Sequence, residues 1–431
     1  MTIILVAVAL VAAFLILRQP YLGIVLITAS LPVADLLPEI PYVTSVVPLI
    51  GAMSLVAFLE TRRRKPPAQS FRFTGVHIWG LLLIVWMSAT HPQAAIFGPD
   101  RNWLFTYLQL WVLVWLSGEL LDTPAKQRVL MWVLSAASVV SALAALGQGR
   151  LGGGFDPSVR AAGYAEGANT AARYFVVAFV FLNYLRTTVN RGPVRLVMIG
   201  GMVVTFLGVF ATVSRTGMML LFAALGFMVV LRLGARHRIW LVSTYVVLVT
   251  LLFSLSDRVA VILRSIIPAI AQGSDTVGLR YLLWQAGWRM WLDNLIAGVG
   301  IGQFPAHLAQ YAPPQLNPYY FKAVAHNMYV AMLAETGIVG FAMFILLLFA
   351  ALRYLLRAVS AGDRDTVSLR NTWLVVFLVM LFGGITKTDQ ADKLLWLAIG
   401  VSVRFHNQLS REREEVGELS SGTSEELSTA G

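Results

Sequence analysis

The chain has 431 residues, of which 58% are hydrophobic and only 13% are charged, and its mean hydropathy is +0.72. Soluble globular domains contain about 45–50% apolar and about 25% charged residues, so this composition excludes an ordinary soluble domain. The chain has no cysteine, which excludes disulfides, thiolate metal sites and a cysteine nucleophile. The net charge of +11 lies in short basic clusters between apolar runs, which is typical of membrane proteins and does not indicate nucleic-acid binding.

Thirteen apolar segments of about 16–24 residues follow one another, near the length that a bilayer core requires. They are residues 2–17, 21–37, 42–60, 74–90, 102–118, 129–147, 170–186, 195–213, 216–232, 239–255, 327–350, 369–385 and 391–405. The first segment lacks a basic leader and a cleavage site, so we predict a membrane helix there and not a cleaved signal peptide. The predicted fold class is all-α, a polytopic integral membrane protein with about 12–13 transmembrane helices.

Basic residues predict the orientation of these segments. They cluster after odd-numbered segments, at residues 62–65, 126–128, 186–195, 232–238 and 353–364. Because short loops rich in Arg and Lys stay in the cytoplasm, the C-terminus is predicted to be cytoplasmic and the even-numbered connectors non-cytoplasmic. If one early segment does not span the membrane, only the orientation of the N-terminus changes.

The connectors divide the chain into five parts. These are transmembrane helices in 1–147, further helices in 148–255 with an outer connector at 148–168, a large outer loop at 256–325, transmembrane helices in 326–405, and a tail at 406–431. The Ser- and Glu-rich tail is predicted to be disordered. The loop at 256–325 is too apolar for a disordered linker, and long ordered loops are usually functional.

Several arginines lie on the predicted outer side, against the positive-inside bias. They are Arg160, Arg173, Arg215, Arg280 and Arg289. A membrane-boundary arginine is costly unless it is paired, reaches the interface or faces a polar cavity, and arginine is well suited to bidentate contacts with phosphate. The pattern therefore has two interpretations: a common site for a polyanionic ligand, or separate arginines contacting lipid phosphates.

Other polar residues on the same side include Asn169, Asn327, Lys387 and Asp389, together with His326. The ordinary pKa of histidine lies near 6.5, so His326 is a candidate general base, although a lone histidine before a helix is also a common structural residue. The six histidines show no His-x-x-x-His spacing, so no metal site is predicted.

Arg280, Trp284, Trp288 and Trp291 have the spacing i, i+4, i+8 and i+11, which places them on one face of a predicted helix. That face is either a wall for a lipid-linked sugar or a packing surface. Glu335 lies inside a predicted membrane segment, where it is either functional or a neutral, hydrogen-bonded residue between helices.

The glycine-rich segment Gly298–Gly302 lacks the spacing and context of a dinucleotide loop. We predict instead that it forms a tight turn or a close backbone approach.

Taken together, five motifs resemble the O-antigen ligase and polymerase family. They are Arg160–Gly163 followed by Ala168–Thr170, Ser214–Gly217, Gly298–Phe304, His326–Val330 and Leu333–Gly340. The resemblance is strong over roughly residues 160–345, and the N-terminal helices match only in general character. Members of this family usually have about twelve membrane helices, one fewer than the number of segments counted here.

The resemblance implies a glycosyltransferase of the bacterial inner membrane that works on its periplasmic face. Such enzymes pass a glycan from an undecaprenyl-diphosphate carrier to an acceptor hydroxyl, without cofactor or metal and with inversion at the anomeric carbon. Arg215 and Arg280 would hold the diphosphate, and His326 would activate the acceptor. We predict that substrate binding also involves Arg160, Asn169, Arg173, Arg289, Asn327, Trp284 and Trp288. Glu335 would have a structural or proton-related role.

The acceptor separates the alternatives within the family. It is lipid A-core for an O-antigen ligase, our first prediction, and a second carrier-linked glycan for a polymerase. A small-anion, bicarbonate-like transporter is the alternative from another class, and a non-enzymatic partner in glycan export is a third. A transporter should have ionisable residues near the middle of the membrane and broken helices in matching halves of the chain.

Overall fold

The computed structural model describes residues 2–37, 46–64, 73–97, 102–151, 161–231, 276–357 and 364–408. The predicted segment 239–255, Arg160 and residues 409–431 of the predicted tail lie outside these ranges. The helices are α1 (Thr2–Arg18), α2 (Tyr21–Ser30), α3 (Val46–Arg64), α4 (Gly75–Thr90), α5 (Pro92–Phe97), α6 (Trp103–Leu120), α7 (Pro124–Leu151), α8 (Ala168–Thr188), α9 (Gly192–Ala211), α10 (Arg215–Val230), α11 (Thr276–Asp293), α12 (Phe304–Tyr311), α13 (Met328–Leu356), α14 (Arg364–Gly383) and α15 (393–408).

The apolar segments and the observed helices agree closely. Each predicted segment in the described ranges contains a helix, which confirms an all-α, polytopic membrane protein. By length and composition, four of the described helices can cross a membrane: α7, α9, α13 and α14. Residues 21–36, α4 and α10 form shorter apolar helices. The total of about 12–13 spans stays a prediction.

The second predicted segment is not one continuous α-helix. The α-helix ends at Ser30, and a 3₁₀ helix follows over Leu31–Leu36. Pro32 lies at the start of this 3₁₀ helix, where it has no backbone N–H to continue the α-helical ladder. Val33 is also non-helical, with φ −127°. The proline therefore explains why the α-helix ends at Ser30, before the end of the predicted segment.

Helix α8 is the centre of the bundle. Its buried residues surround the helix on all sides, and it packs against α7, α9, α10 and α14. Phe181 of α8 meets Trp373 of α14 edge-on, with 5.2 Å between ring centroids. A helix that is apolar on all sides belongs in the interior of a bundle. Arg173, the charged residue near the start of α8, therefore lies between other helices.

A smaller hydrophobic cluster joins the end of the large loop to the bundle. Leu283 and Met290 of α11 pack with Phe304 and Leu308 of α12 and with Ala331 of α13, and all five are buried. This cluster holds α11 against the first half of α13. The loop is therefore helical and packed where it is described, as its apolar composition predicts.

Candidate functional site

Helix α13 is broken in its first half, at Gly337. Gly337 has φ 65° and ψ −171°, outside the range that an α-helix allows. The break frees backbone groups that then pair with other segments. The indole N–H of Trp86 donates to the Thr336 carbonyl over 3.0 Å, and the N–H of Ile338 donates to the Leu295 carbonyl over 2.8 Å. Satisfying these groups is what makes a break tolerable inside a membrane.

The glycine-rich segment lies directly against this break. The N–H groups of Val299 and Gly300 donate to the carbonyls of Ala334 and Glu335, each over 2.9 Å. Gly298 has φ 70°, and a Cβ there would lie 2.4 Å from the Glu335 carbonyl carbon. The prediction of a close backbone approach is confirmed, and the reason is that two backbones pair with no space for a side chain between them.

The carboxylate of Glu335 faces the start of α12. Its residue is only 3% exposed, and Oε1 accepts a hydrogen bond from the N–H of Phe304 over 3.1 Å. A helix N-terminus presents free N–H groups and a partial positive charge, both of which favour a carboxylate. This contact agrees with the structural alternative for Glu335, a hydrogen-bonded residue between two segments.

His326 lies two residues before the first residue of α13 and has an uncommon backbone conformation. Its φ is 50°, in the left-handed region that few residues other than glycine adopt. Asn327 caps the helix, because its side-chain oxygen accepts from the N–H groups of Tyr329 and Val330 over 2.9 and 3.1 Å. Such conformations concentrate at functional sites. The proposed binding role of Asn327 stays a prediction, and its Oδ1 already serves the cap.

Two contacts hold the His326 segment between neighbouring elements. The indole N–H of Trp284 in α11 donates to the Ala325 carbonyl over 3.1 Å. The N–H of Met328 donates to the Gly384 carbonyl, just after α14, over 2.7 Å. His326 therefore lies where α11, the start of α13 and the turn after α14 meet.

The electrostatic surroundings of His326 connect it to one of the predicted arginines. Burial, and then the positive charges of Arg280 and Lys387, lower the pKa of His326 from 6.5, while Asp389 acts in the opposite direction. Burial and nearby cations both disfavour the imidazolium form. The structure thus brings Arg280 within electrostatic reach of a His326 that is neutral at pH 7.

Arg215 lies in a second strained turn. It is exposed and begins α10 two residues after Val213, whose φ is 49°. A β-branched residue with positive φ is a genuine outlier. Ser214 caps α10 by accepting from the N–H of Gly217 over 3.0 Å, and its hydroxyl donates to the side-chain oxygen of Asn169 over 2.7 Å. Asn169, predicted to bind substrate, thus contacts the turn that carries Arg215.

Arg173 is buried and ion-paired. Its residue is 1% exposed, and its guanidinium pairs with Asp389 and, over 2.8 Å, with Asp392. Asp389 also pairs with Lys387 over 3.2 Å, and Lys387 donates to the hydroxyl of Thr170 over 2.8 Å. Direct binding of substrate by Arg173 stays a prediction. Sequence reasoning placed Arg173, Lys387 and Asp389 on this side of the membrane but did not predict that they pair, and it did not single out Asp392.

The predicted face of α11 is only partly buried. Trp284 is half-buried, whereas Trp288 is 53% exposed and meets Trp291 edge-on at 4.6 Å. Arg289 is exposed beside them. Trp284 therefore packs onto the bundle, and Trp288 and Arg289 face outward from it. The same helix carries Arg280 four residues before Trp284.

Residues 200–345 match a family model described as O-antigen ligase. The matched region contains Arg215, Arg280, His326 and Glu335, and it includes the break in α13 with the glycine-rich segment against it. No match to the chain was found among curated proteins. The resemblance that the sequence motifs indicate is thereby confirmed over residues 200–345, where this membrane protein matches the O-antigen ligase family.

Proposed function

We propose that the protein is a membrane glycosyltransferase that moves a glycan from undecaprenyl diphosphate to an acceptor hydroxyl on the periplasmic face of the bacterial inner membrane. The acceptor is lipid A-core, which makes the activity that of an O-antigen ligase. The observation that supports this proposal is that the positive charge of Arg280 disfavours the imidazolium form of His326, inside the region that matches the family. Arg280 supplies a cation for the departing phosphate, and His326 supplies a base for the incoming hydroxyl.

In the proposed reaction, the neutral imidazole of His326 accepts the proton of the acceptor hydroxyl. The acceptor oxygen forms a bond to the anomeric carbon while the bond from that carbon to the diphosphate oxygen breaks. The electron pair of this bond leaves with undecaprenyl diphosphate, and the configuration at the anomeric carbon inverts. The proton on His326 is then released to water.

Arg280 and Arg215 stabilise the charge that develops on the leaving diphosphate. Such preorganised electrostatic stabilisation is usually the largest part of catalysis, and loss of one donor costs on the order of 10²–10³ in rate. The strained turn before Arg215 and the conformation of His326 support this role, because strain is retained where the fold imposes a functional geometry.

The test uses purified full-length protein, an undecaprenyl-diphosphate-linked glycan and separate acceptors. Wild type should transfer glycan to lipid A-core, and His326→Ala and Arg280→Gln should each lose at least about 100-fold in rate. His307→Ala is a matched control, since His307 lies in α12 with its ring nitrogen already bonded to the Gln303 carbonyl. Lengthened carrier-linked chains in place of lipid A-core product would identify a polymerase instead.

A transporter for a small anion is the second candidate, because two observations favour it. Helix α13 is broken at Gly337, and the buried Glu335 lies beside that break, which are features of transporter binding sites. Anion uptake into vesicles containing the protein, together with no glycan transfer by wild type, would replace the enzyme proposal with this one.

A further inference from the structure

We infer that Lys387 is a third cation of the donor site and binds the diphosphate of the carrier lipid together with Arg215 and Arg280. The inference rests on the proposed function and extends it. It assigns a ligand to a residue in the turn after α14, outside the region that matches the family model.

The turn that carries Lys387 is fixed beside the His326 segment by the backbone. The Gly384 carbonyl accepts from the N–H of Met328 over 2.7 Å, and the hydroxyl of Tyr329 donates to the Leu381 carbonyl over 2.9 Å. Both bonds join the end of α14 to the first residues of α13. Lys387 therefore lies three residues after a backbone contact with the His326 segment, and its charge acts on His326.

Lys387 also contacts the segment that holds the Arg215 turn. Its ammonium group donates to Thr170, and Thr170 follows Asn169, which accepts from Ser214. Lys387 thus lies between the two strained turns that carry Arg215 and His326.

The ammonium group has a donor left for a ligand. Lysine has three N–H donors, and the described residues use two of them, one to Thr170 and one to Asp389. The side chain of Lys387 is 32% exposed, while that of Asp389 is 4% exposed. Thr170 and Asp389 therefore hold the group in place and leave its third donor directed away from both.

Arg173, Lys387, Asp389 and Asp392 form one network of ion pairs, and Lys387 is its most exposed member. Asp389 and Asp392 face two cations, and Arg173 is enclosed with a side-chain exposure of 2%. Lys387 is the cation of this four-residue network that an anion in solution can reach. Burial and the charge of Arg173 lower the pKa of Lys387, and Asp389 and Asp392 oppose this. A partly desolvated ammonium gains more from a phosphate than a fully hydrated one does.

The experiment measures binding of undecaprenyl diphosphate and undecaprenyl monophosphate to the purified full-length protein. Lys387→Gln should weaken binding of the diphosphate at least about tenfold, because a charge-assisted hydrogen bond is lost. The monophosphate should be affected less, and Lys387→Arg should restore most of the diphosphate affinity. Lys126→Gln is the matched control, since Lys126 also pairs with an aspartate, Asp122 at 2.7 Å, and should bind like wild type.

Equal diphosphate affinity for wild type and Lys387→Gln would overturn the inference, as would a wild type that does not bind the diphosphate. If Lys387→Gln does not fold, Thr170→Val keeps the charge and removes one partner. It should weaken diphosphate binding several-fold, and an unchanged affinity would again overturn the inference. Glycan transfer by wild type is measured separately. Its absence, with binding still dependent on Lys387, would reject the proposed function and leave the inference standing.

Discussion

Replacing Gly337 by alanine tests whether the break in α13 positions the loop that carries Arg280. Gly337 has φ 65° and ψ −171°, a region that is essentially restricted to glycine. A Cβ there would lie 2.2 Å from the Ile296 carbonyl oxygen and 2.3 Å from the Ile296 carbonyl carbon. Both atoms are backbone atoms, so rotating a side chain cannot relieve the overlap.

The expected cost of Gly337→Ala has two parts. Holding alanine in this conformation costs about 1–3 kcal/mol. Displacing the backbone at Ile296 costs about 1–3 kcal/mol more, as overpacking of a core does. The free energy of unfolding should therefore fall by about 2–6 kcal/mol. Because Ile338 bonds to Leu295 across the break, the variant should also lose glycan transfer in its folded fraction.

The assay is SDS-induced unfolding of the purified full-length protein, compared with Gly200→Ala. Gly200 lies within α9, has no atom within 4 Å of an added Cβ and has no positive φ. Alanine is favoured over glycine inside a helix by about 1 kcal/mol, so this control should be as stable as wild type or slightly more stable. A Gly337→Ala protein with wild-type stability and transfer rate would refute the argument that the break requires glycine.

Arg173→Met should lower the free energy of unfolding by about 3–5 kcal/mol, because it leaves Asp389 and Asp392 buried without their shared cation. In wild type, kcat/KM for glycan transfer should fall to half of its maximum at a pH below 6.5, since the pKa of His326 lies below the ordinary value. Arg280→Gln should raise the pKa of His326, measured by histidine NMR, because it removes a positive charge that disfavours the imidazolium.

The matching controls are simple. Arg195→Met changes an exposed arginine of α9 and should leave the unfolding free energy within about 0.5 kcal/mol of wild type. His326→Ala identifies the signal of His326 among the six histidines in the spectrum. A half-maximal kcat/KM at a pH above 6.5, or a His326 pKa that falls in Arg280→Gln, would contradict the electrostatic account of the site.

The sequence by itself determined the helices and the region that matches the family. Within lipid each backbone N–H and carbonyl must be paired, and a helix pairs them within one segment. A long apolar segment is therefore helical. Its hydropathy can be read from the local sequence alone. The segment predicted at 170–186 is α8, Ala168–Thr188. The glycine-rich segment was correctly predicted as a close approach, since glycine spacing is also local. The candidates Arg215, Arg280 and His326 all fall within the region that matches the family.

Only the tertiary structure decided which distant groups meet. Arg173 pairs with Asp389 across 216 residues of chain, and Trp86 donates to Thr336 across 250. Neither residue type nor spacing specifies such partners, because they depend on how helices pack. The break at Gly337 could not be predicted from the sequence, because a glycine inside an apolar segment usually continues a helix at a small cost in free energy. Its left-handed conformation is favourable only because Leu295 and Trp86 are in place to bond the backbone groups that it frees.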